Sequence, residues 1–292
     1  MALTDNLQAF YKLSDLSDSS GNSRTLTNNG NVSFASGKIG NAAVFDGGSL
    51  SRDASFLANT SELTISCWYK NNASSPISSP IFSIWGGGSN DFSLVNGWGN
   101  GEQQIGMGFF TNSGGGFYTF ANGSRIPDDG QYHHVVMVYS SSNSSFKAFV
   151  DGNIIGSESI TGALCASGSL SQFVLGSQTE SISNGSGSFD AVGIWNRALS
   201  DAEVAELYNN GTGLELDPPN YQGEWDNFAY YGQDDVVSVS GVYWKLTGLA
   251  GWTVGGAPGL GYGWTLLVQA PVGGRVSLSG RVSLSGRVKF AV

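Results

Sequence analysis

Turn-forming clusters recur along residues 1 to 214 so closely that few long helices could fit between them. Asn28-Asn29-Gly30, Gly86-Gly87-Gly88, Gly114-Gly115-Gly116 and Asp151-Gly152 punctuate this stretch, and such residues favour backbone conformations that a helix interior rejects. Between them lie short runs rich in β-branched and aromatic residues: Val32–Phe34, Leu63–Trp68, His134–Tyr139 and Phe146–Val150. Asp151-Gly152-Asn153 follows the last of these and precedes Ile154-Ile155. It predicts a tight hairpin, because Asp-Gly accepts the positive φ such a turn requires. Strands and turns at this density predict an all-β chain folded as a sandwich or jelly roll.

One helix is predicted against that background. Ser200 and Glu203 have capping-box spacing, Asp201 adds favourable charge to the first turn, and Leu199 and Val204 sit at staple positions. Val204, Leu207 and Tyr208 share one face, which predicts a short helix packed on the sandwich edge, stopped at Asn210-Gly211. Hydrophobic residues make up 40% of the chain and include eight Trp, enough for a substantial core. A net charge of −10 argues against nucleic acid as the main partner. No uncharged apolar run approaches the ~18 residues of a membrane span. The opening Met1–Asn6 has no basic-then-apolar pattern, so no Sec-type export signal is expected. Cys67 and Cys165 form neither a disulfide framework nor a metal cluster. Cys67 shares a strand face with Ile65 and Tyr69 and reads as a small buried hydrophobe.

Composition changes after residue 214. Residues 215–220, with Pro218-Pro219, read as a stiff linker. Residues 221–270 then carry four Trp and five Tyr, the pattern of a small aromatic module. Trp225, Tyr243 and Trp264 are expected to fill its core, leaving Trp244, Trp252 and Tyr262 as candidate platforms for sugar rings, which stack on aromatic faces. The alternative is that these rings are core or contact a neighbouring subunit. Residues 271–292 contain a six-residue repeat with four basic side chains and no acid. Val276, Leu278, Val282, Leu284, Val288 and Phe290 alternate onto one face of a ribbon whose apolar side needs a partner. Docking by intertwining, for instance in a homotrimer, or by strand addition would cover it; a disordered tail is the other reading.

Three stretches of the first domain carry a family resemblance: Asp18–Asn22 with Ala43–Gly47, Tyr132–Val136 with Ala148–Gly152, and Phe189–Ser200. Together they resemble the laminin-G-like, concanavalin A-like lectin/glucanase family. The resemblance implies a two-sheet jelly roll whose first and last strands pair. It also implies a calcium ion held by Asp18, Asn22 and Asp190; the plainer reading of Asp18 and Asn22 is an Asx turn. Trp225, Tyr230-Tyr231, Asp235–Val237, Gly241–Tyr243 and Trp264 are similar to small chitin- and cellulose-binding modules, a pattern shared by phage fibre proteins.

The chemistry read from the residues is that of binding. Retaining glucanases of this fold need paired carboxylates, usually as E-x-D-x-x-E, and Glu62, Glu102, Glu158 and Glu180 stand apart from one another. His133 and His134, the only histidines, point to opposite faces of a strand and cannot act together on one ligand; the resemblance implies that they are framework. The expectation is therefore a non-enzymatic carbohydrate-binding or adhesive protein. A phage virion component contacting surface glycans is favoured, with other virion proteins or its own copies as partners, because such a protein is released by lysis and needs no export signal. The alternatives are an exported bacterial polysaccharide-binding accessory protein and a virion spacer without a ligand.

Overall fold

The computed structural model describes residues 2–71, 79–86, 89–98, 104–111, 114–119, 126–127, 129–162, 170–177 and 186–216, and four strands between 220 and 267. Two units are present, Met1–Leu216 and Asp217–Val292.

The first unit begins with β1 (Leu7–Tyr11), β2 (Thr27–Asn28), β3 (Val32–Ser36), β4 (Asn41–Asp46) and β5 (Leu50–Arg52). It continues through β6 (Glu62–Lys70), β7 (Ser79–Gly86), β8 (Ser89–Trp98), β9 (Gln104–Thr111) and β10 (Gly114–Thr119). The last strands are β11 (His133–Ser140), β12 (Ser145–Val150), β13 (Asn153–Ser159), β14 (Leu170–Leu175) and β15 (Ser186–Trp195), followed by α1 (Asp201–Tyr208). They form two sheets. An eight-stranded sheet runs β13-β12-β11-β6-β15-β4-β3, with β1 also on β15, and a seven-stranded sheet runs β10-β9-β8-β7-β14-β5-β2. As expected, this is a two-sheet sandwich whose first strand pairs with its last, Phe10 opposite Gly193 and Tyr11 opposite Val192.

Period-two patterning places the core between the sheets. Leu63, Ile65, Cys67 and Tyr69 of β6 meet Val135, Met137 and Tyr139 of β11, and Phe82, Phe92 and Phe173 come from the other sheet. Cys67 is buried there, and burial raises its thiol pKa, as suits a small apolar filler. The expected hairpin is present too: Asp151 and Gly152 take φ of 50° and 75°, and Val150 pairs with Asn153.

The alternate residues of the eight-stranded sheet supply a second apolar cluster on its outer face. Trp68, Val136, Val138, Phe149 and Trp195 meet Leu199, Val204 and Leu207 there. The helix therefore covers the outer face of this sheet, where the sequence placed it on the sandwich edge. The reason is that Val136, Val138 and Trp195 leave an apolar patch in the middle of that face, and a one-sided helix buries most area by lying on it. Ser200 accepts from the Glu203 N–H while the Glu203 side chain accepts from the Ser200 N–H, which completes the capping box.

β15 reaches both clusters because it is bulged. Its pairing with β6 shifts between Asp190 and Gly193, and Ala191 takes φ of 46°. The extra residue reverses the alternation. Phe189, Val192 and Ile194 can then all face the inner core, while Ala191 and Trp195 join the outer cluster.

In the second unit β16 (Asn220–Glu224), β17 (Asp235–Val239), β18 (Val242–Leu246) and β19 (Trp264–Leu267) form one sheet in that order. β16 pairs parallel to β17 and the other pairs are antiparallel.

Candidate functional site

The three residues expected at a calcium ion serve two separate loops. Asp18 Oδ1 accepts from the N–H groups of Phe10 and Ser20 at 3.0 and 2.8 Å, and its Oδ2 from that of Arg24 at 3.0 Å. Asn22 Nδ2 donates to the carbonyls of Leu7 and Gln8 at 3.1 and 3.0 Å. Asp190 Oδ2 accepts from the N–H groups of Lys38 and Ile39, both at 2.7 Å. A calcium cage needs six to eight oxygens directed at one point. Here Asp18 meets N–H donors with both oxygens, Asn22 presents its NH₂ to the carbonyls, and Asp190 clamps a different turn. Among the described residues no three acidic, His or Cys side chains form a metal-holding group. This donor set does not fit calcium, and the contacts of Asp18 are those of an Asx turn.

Asp190 begins a polar row across the outer face. It lies opposite Trp68 on β6, which lies opposite His134 on β11. Lys38 places its ammonium 4.7 Å from the Trp68 ring. The rings of Trp68, His134 and Tyr208 form a triangle, with His134 5.2 Å from Trp68 and 6.1 Å from Tyr208, and Trp68 5.9 Å from Tyr208. Burial pushes the Asp190 carboxyl up to about 6, against the N–H groups of Ile39, Lys38 and Ala191 that favour its charged form. The chain approaches closely here: a Cβ on Gly37 would sit 2.5 Å from Asp190 Oδ2.

The histidines are framework, on opposite faces as expected. His133 lies between carboxylates, Nδ1 2.7 Å from Asp151 Oδ2 and Nε2 3.1 Å from Asp129 Oδ1. Burial lowers its pKa, but the bonds to Asp151 and Asp129 outweigh that and leave it raised. His134 Nε2 lies 2.8 Å from Ser66 Oγ, the spacing of a nucleophile and its base. Both residues are buried, however, and His134 Nδ1 has no partner among the described residues to orient the ring. Burial also lowers His134 to about 4. This pair has no route to a substrate.

The sequence did not point to a hollow of about 850 Å³ that opens where the ends of β6, β11 and β15 meet the start of α1. Val138 and Leu199 line it together with Asn6, Ser140, Asn143, Ser145 and Asn196. Glu62 organises one wall: Oε1 accepts from the hydroxyls of Ser140 and Ser142 at 3.1 and 2.9 Å, and Oε2 from the Ala198 N–H at 3.3 Å. The remaining charges are paired, Lys147 with Asp201 and buried Arg197 with Glu203, each at 2.8 Å. No motif announces this site, because its residues come from four separate stretches of the chain.

In the second unit Trp244 occupies the middle of β18, opposite Val237 on one side and Leu266 on the other. Trp252, Tyr262 and the tail residues Val276, Leu278, Val282, Leu284, Val288 and Phe290 lie outside the described residues.

Residues 45–205 match the family model of the concanavalin A-like lectin/glucanases superfamily, Laminin_G_3. The chain belongs to that superfamily. No curated protein matches it. Among solved structures it is similar to domain 4 of AbnA, a GH43 extracellular arabinanase from Geobacillus stearothermophilus, in complex with arabinotriose. That likeness has TM-score 0.54 and 24% identity, covering 69% of this chain and 97% of the domain. It is also similar to the binding domain of Paraclostridial Mosquitocidal Protein 1, with TM-score 0.58 and 16% identity over 72% of this chain and 53% of that one. The receptor binding domain of botulinum neurotoxin D gives 0.53 and 13%, over 72% and 54%. The chain spans about half the length of these toxin domains. At these identities the likeness is one of fold.

Proposed function

We propose that this chain is a non-enzymatic glycan-binding, adhesive protein, and that it serves as a phage virion component: a capsid decoration, fibre or tail appendage. The observation that carries the glycan-binding reading is the family match across residues 45–205. It is supported by the likeness to an arabinanase domain in complex with arabinotriose and to toxin binding domains. Five carboxylates among the described residues of the first unit support binding over hydrolysis. Asp18, Asp151 and Asp190 accept backbone N–H groups, and Glu62 and Glu203 hold the approach to α1. A retaining glycosidase instead aims two carboxyls, about 5–5.5 Å apart, into an open cleft.

The virion reading rests on the aromatic composition of residues 221–270 and on the basic hexad repeat of the tail, which has an apolar face to cover and four positive charges on a chain of net −10. Trp244, Trp252 and Tyr262 serve in this reading as stacking platforms, and the tail joins the protein to its assembly. A glycan array probed with the multivalently displayed full chain tests the binding. Retention on one class of surface polysaccharide, weakened by Trp252→Ala or Trp244→Ala, is the expected result. No retention on any glycan leaves a spacer. Mass spectrometry of purified particles tests the virion role, and absence of the chain from them overturns it.

A further inference from the structure

We infer that, given glycan binding, the hollow between β11, β12 and the start of α1 is a sugar subsite in the first unit, and that it selects neutral over acidic oligosaccharides. Its volume of about 850 Å³ lies within the usual range of small-molecule sites. Its lining is what a polyol needs. Sugar hydroxyls each donate and accept, and the hydroxyl of Ser145 and the amides of Asn6, Asn143 and Asn196 offer both functions. Val138 and Leu199 give an apolar floor for the C–H face of a ring.

The charges decide the selectivity. Lys147 and Arg197 are each held by a carboxylate, Asp201 and Glu203, within the same hollow. Glu62 adds a third carboxylate whose oxygens accept the bonds of Ser140, Ser142 and Ala198. No cation of the lining is left to receive a sugar acid, and three carboxylates against two cations repel one. Asn143 and Asn196 are the side chains to vary. Both are exposed, and the hydrogen bonds that tie them to the fold come from their backbone N–H groups, to Ser140 Oγ and the Asn6 carbonyl.

The experiment titrates the full chain with arabinotriose and cellotriose as neutral probes and with trigalacturonate as the acidic one, followed by NMR. At least one neutral probe is expected to bind more tightly than the acidic one. The double variant Asn143→Ala, Asn196→Ala should weaken it by about tenfold, the equivalent of one or two net hydrogen bonds. Ala202→Trp, which fills the mouth from the exposed first turn of α1, should abolish it, and unchanged circular dichroism would exclude unfolding as the cause. The same titrations repeated in the Trp252→Ala background separate this subsite from the stacking platforms, and the loss in the hollow variants should be seen there too. Neutral-probe binding that is indifferent to both hollow variants but lost in Trp252→Ala overturns the subsite and keeps the glycan-binding reading. Tighter binding of trigalacturonate overturns the selectivity, and binding of no probe on the array or in solution overturns both.

Discussion

Asp190 and His134 titrate with opposite consequences on the same face of one sheet. The neutral His134 ring suits its buried stack, so its folded pKa of about 4 lies below the ordinary 6.5. Between those values the unfolded chain binds more protons, and this residue's contribution to stability is lost as pH falls through that window. Asp190 has a folded pKa of about 6 against an ordinary 3.8. Between those values the folded chain binds more protons, so stability rises as pH falls. Asp190→Asn keeps an acceptor for Lys38 and Ile39 but removes the titration. Its unfolding free energy should therefore decline more steeply than wild type between pH 6 and 4, by about 1–3 kcal/mol, in urea titrations across that range. An unchanged slope would show that Asp190 is not held against its charge. Raised His133 adds stability below pH 6.5 that is lost as pH rises through its folded pKa. Calcium is tested at the same scale. With Asp18 and Asn22 engaged by the backbone, chelator should leave the melting temperature where it is, and a fall on chelation restored by calcium would return the ion. Both histidines and Asp190 stand out in the sequence as residues. What they bond to does not, because Lys38, Ile39 and Asp129 reach them through loops that carry no motif.

At the scale of elements, α1 shows how a local signal and a tertiary contact share the work. Ser200 and Glu203 satisfy backbone groups that an eight-residue helix would otherwise leave open. Ser200→Ala should cost about 1 kcal/mol in denaturant titrations, and the loss should be global because the helix covers Trp68, Val136 and Val138. A local fraying seen only by hydrogen exchange would mean that the helix adds little to the sandwich. The capping box was legible as S-x-x-E spacing, and the β12–β13 turn as Asp-Gly. The β15 bulge was not, since its cause is a conflict of phase: Phe189 and Ile194 are an odd number of residues apart, yet both are needed in the inner core.

For the whole molecule, the proposed division of labour places assembly in the tail and recognition upstream. Removing residues 273–292 should leave a folded protein by circular dichroism that no longer oligomerises in light scattering or enters particles. Val282→Asp with Leu284→Asp should act alike, by charging the apolar face. Assembly of the truncated chain at wild-type level would remove the docking role.

The sequence by itself determined the fold class. Turn residues cap the length of every element, and period-two alternation needs only neighbours along the chain to be read. It also determined the two faces of β6 and the short capped helix before Asn210. The tertiary structure alone decided which outer face the helix would cover, how β15 would change phase, and that Asp18 and Asp190 would tie down separate turns. It also formed the hollow, whose lining comes from the ends of elements up to about 200 residues apart, from Asn6 to Glu203. Such a site has no period and no fixed spacing. It exists only once sheet register and the helix position have brought those ends together.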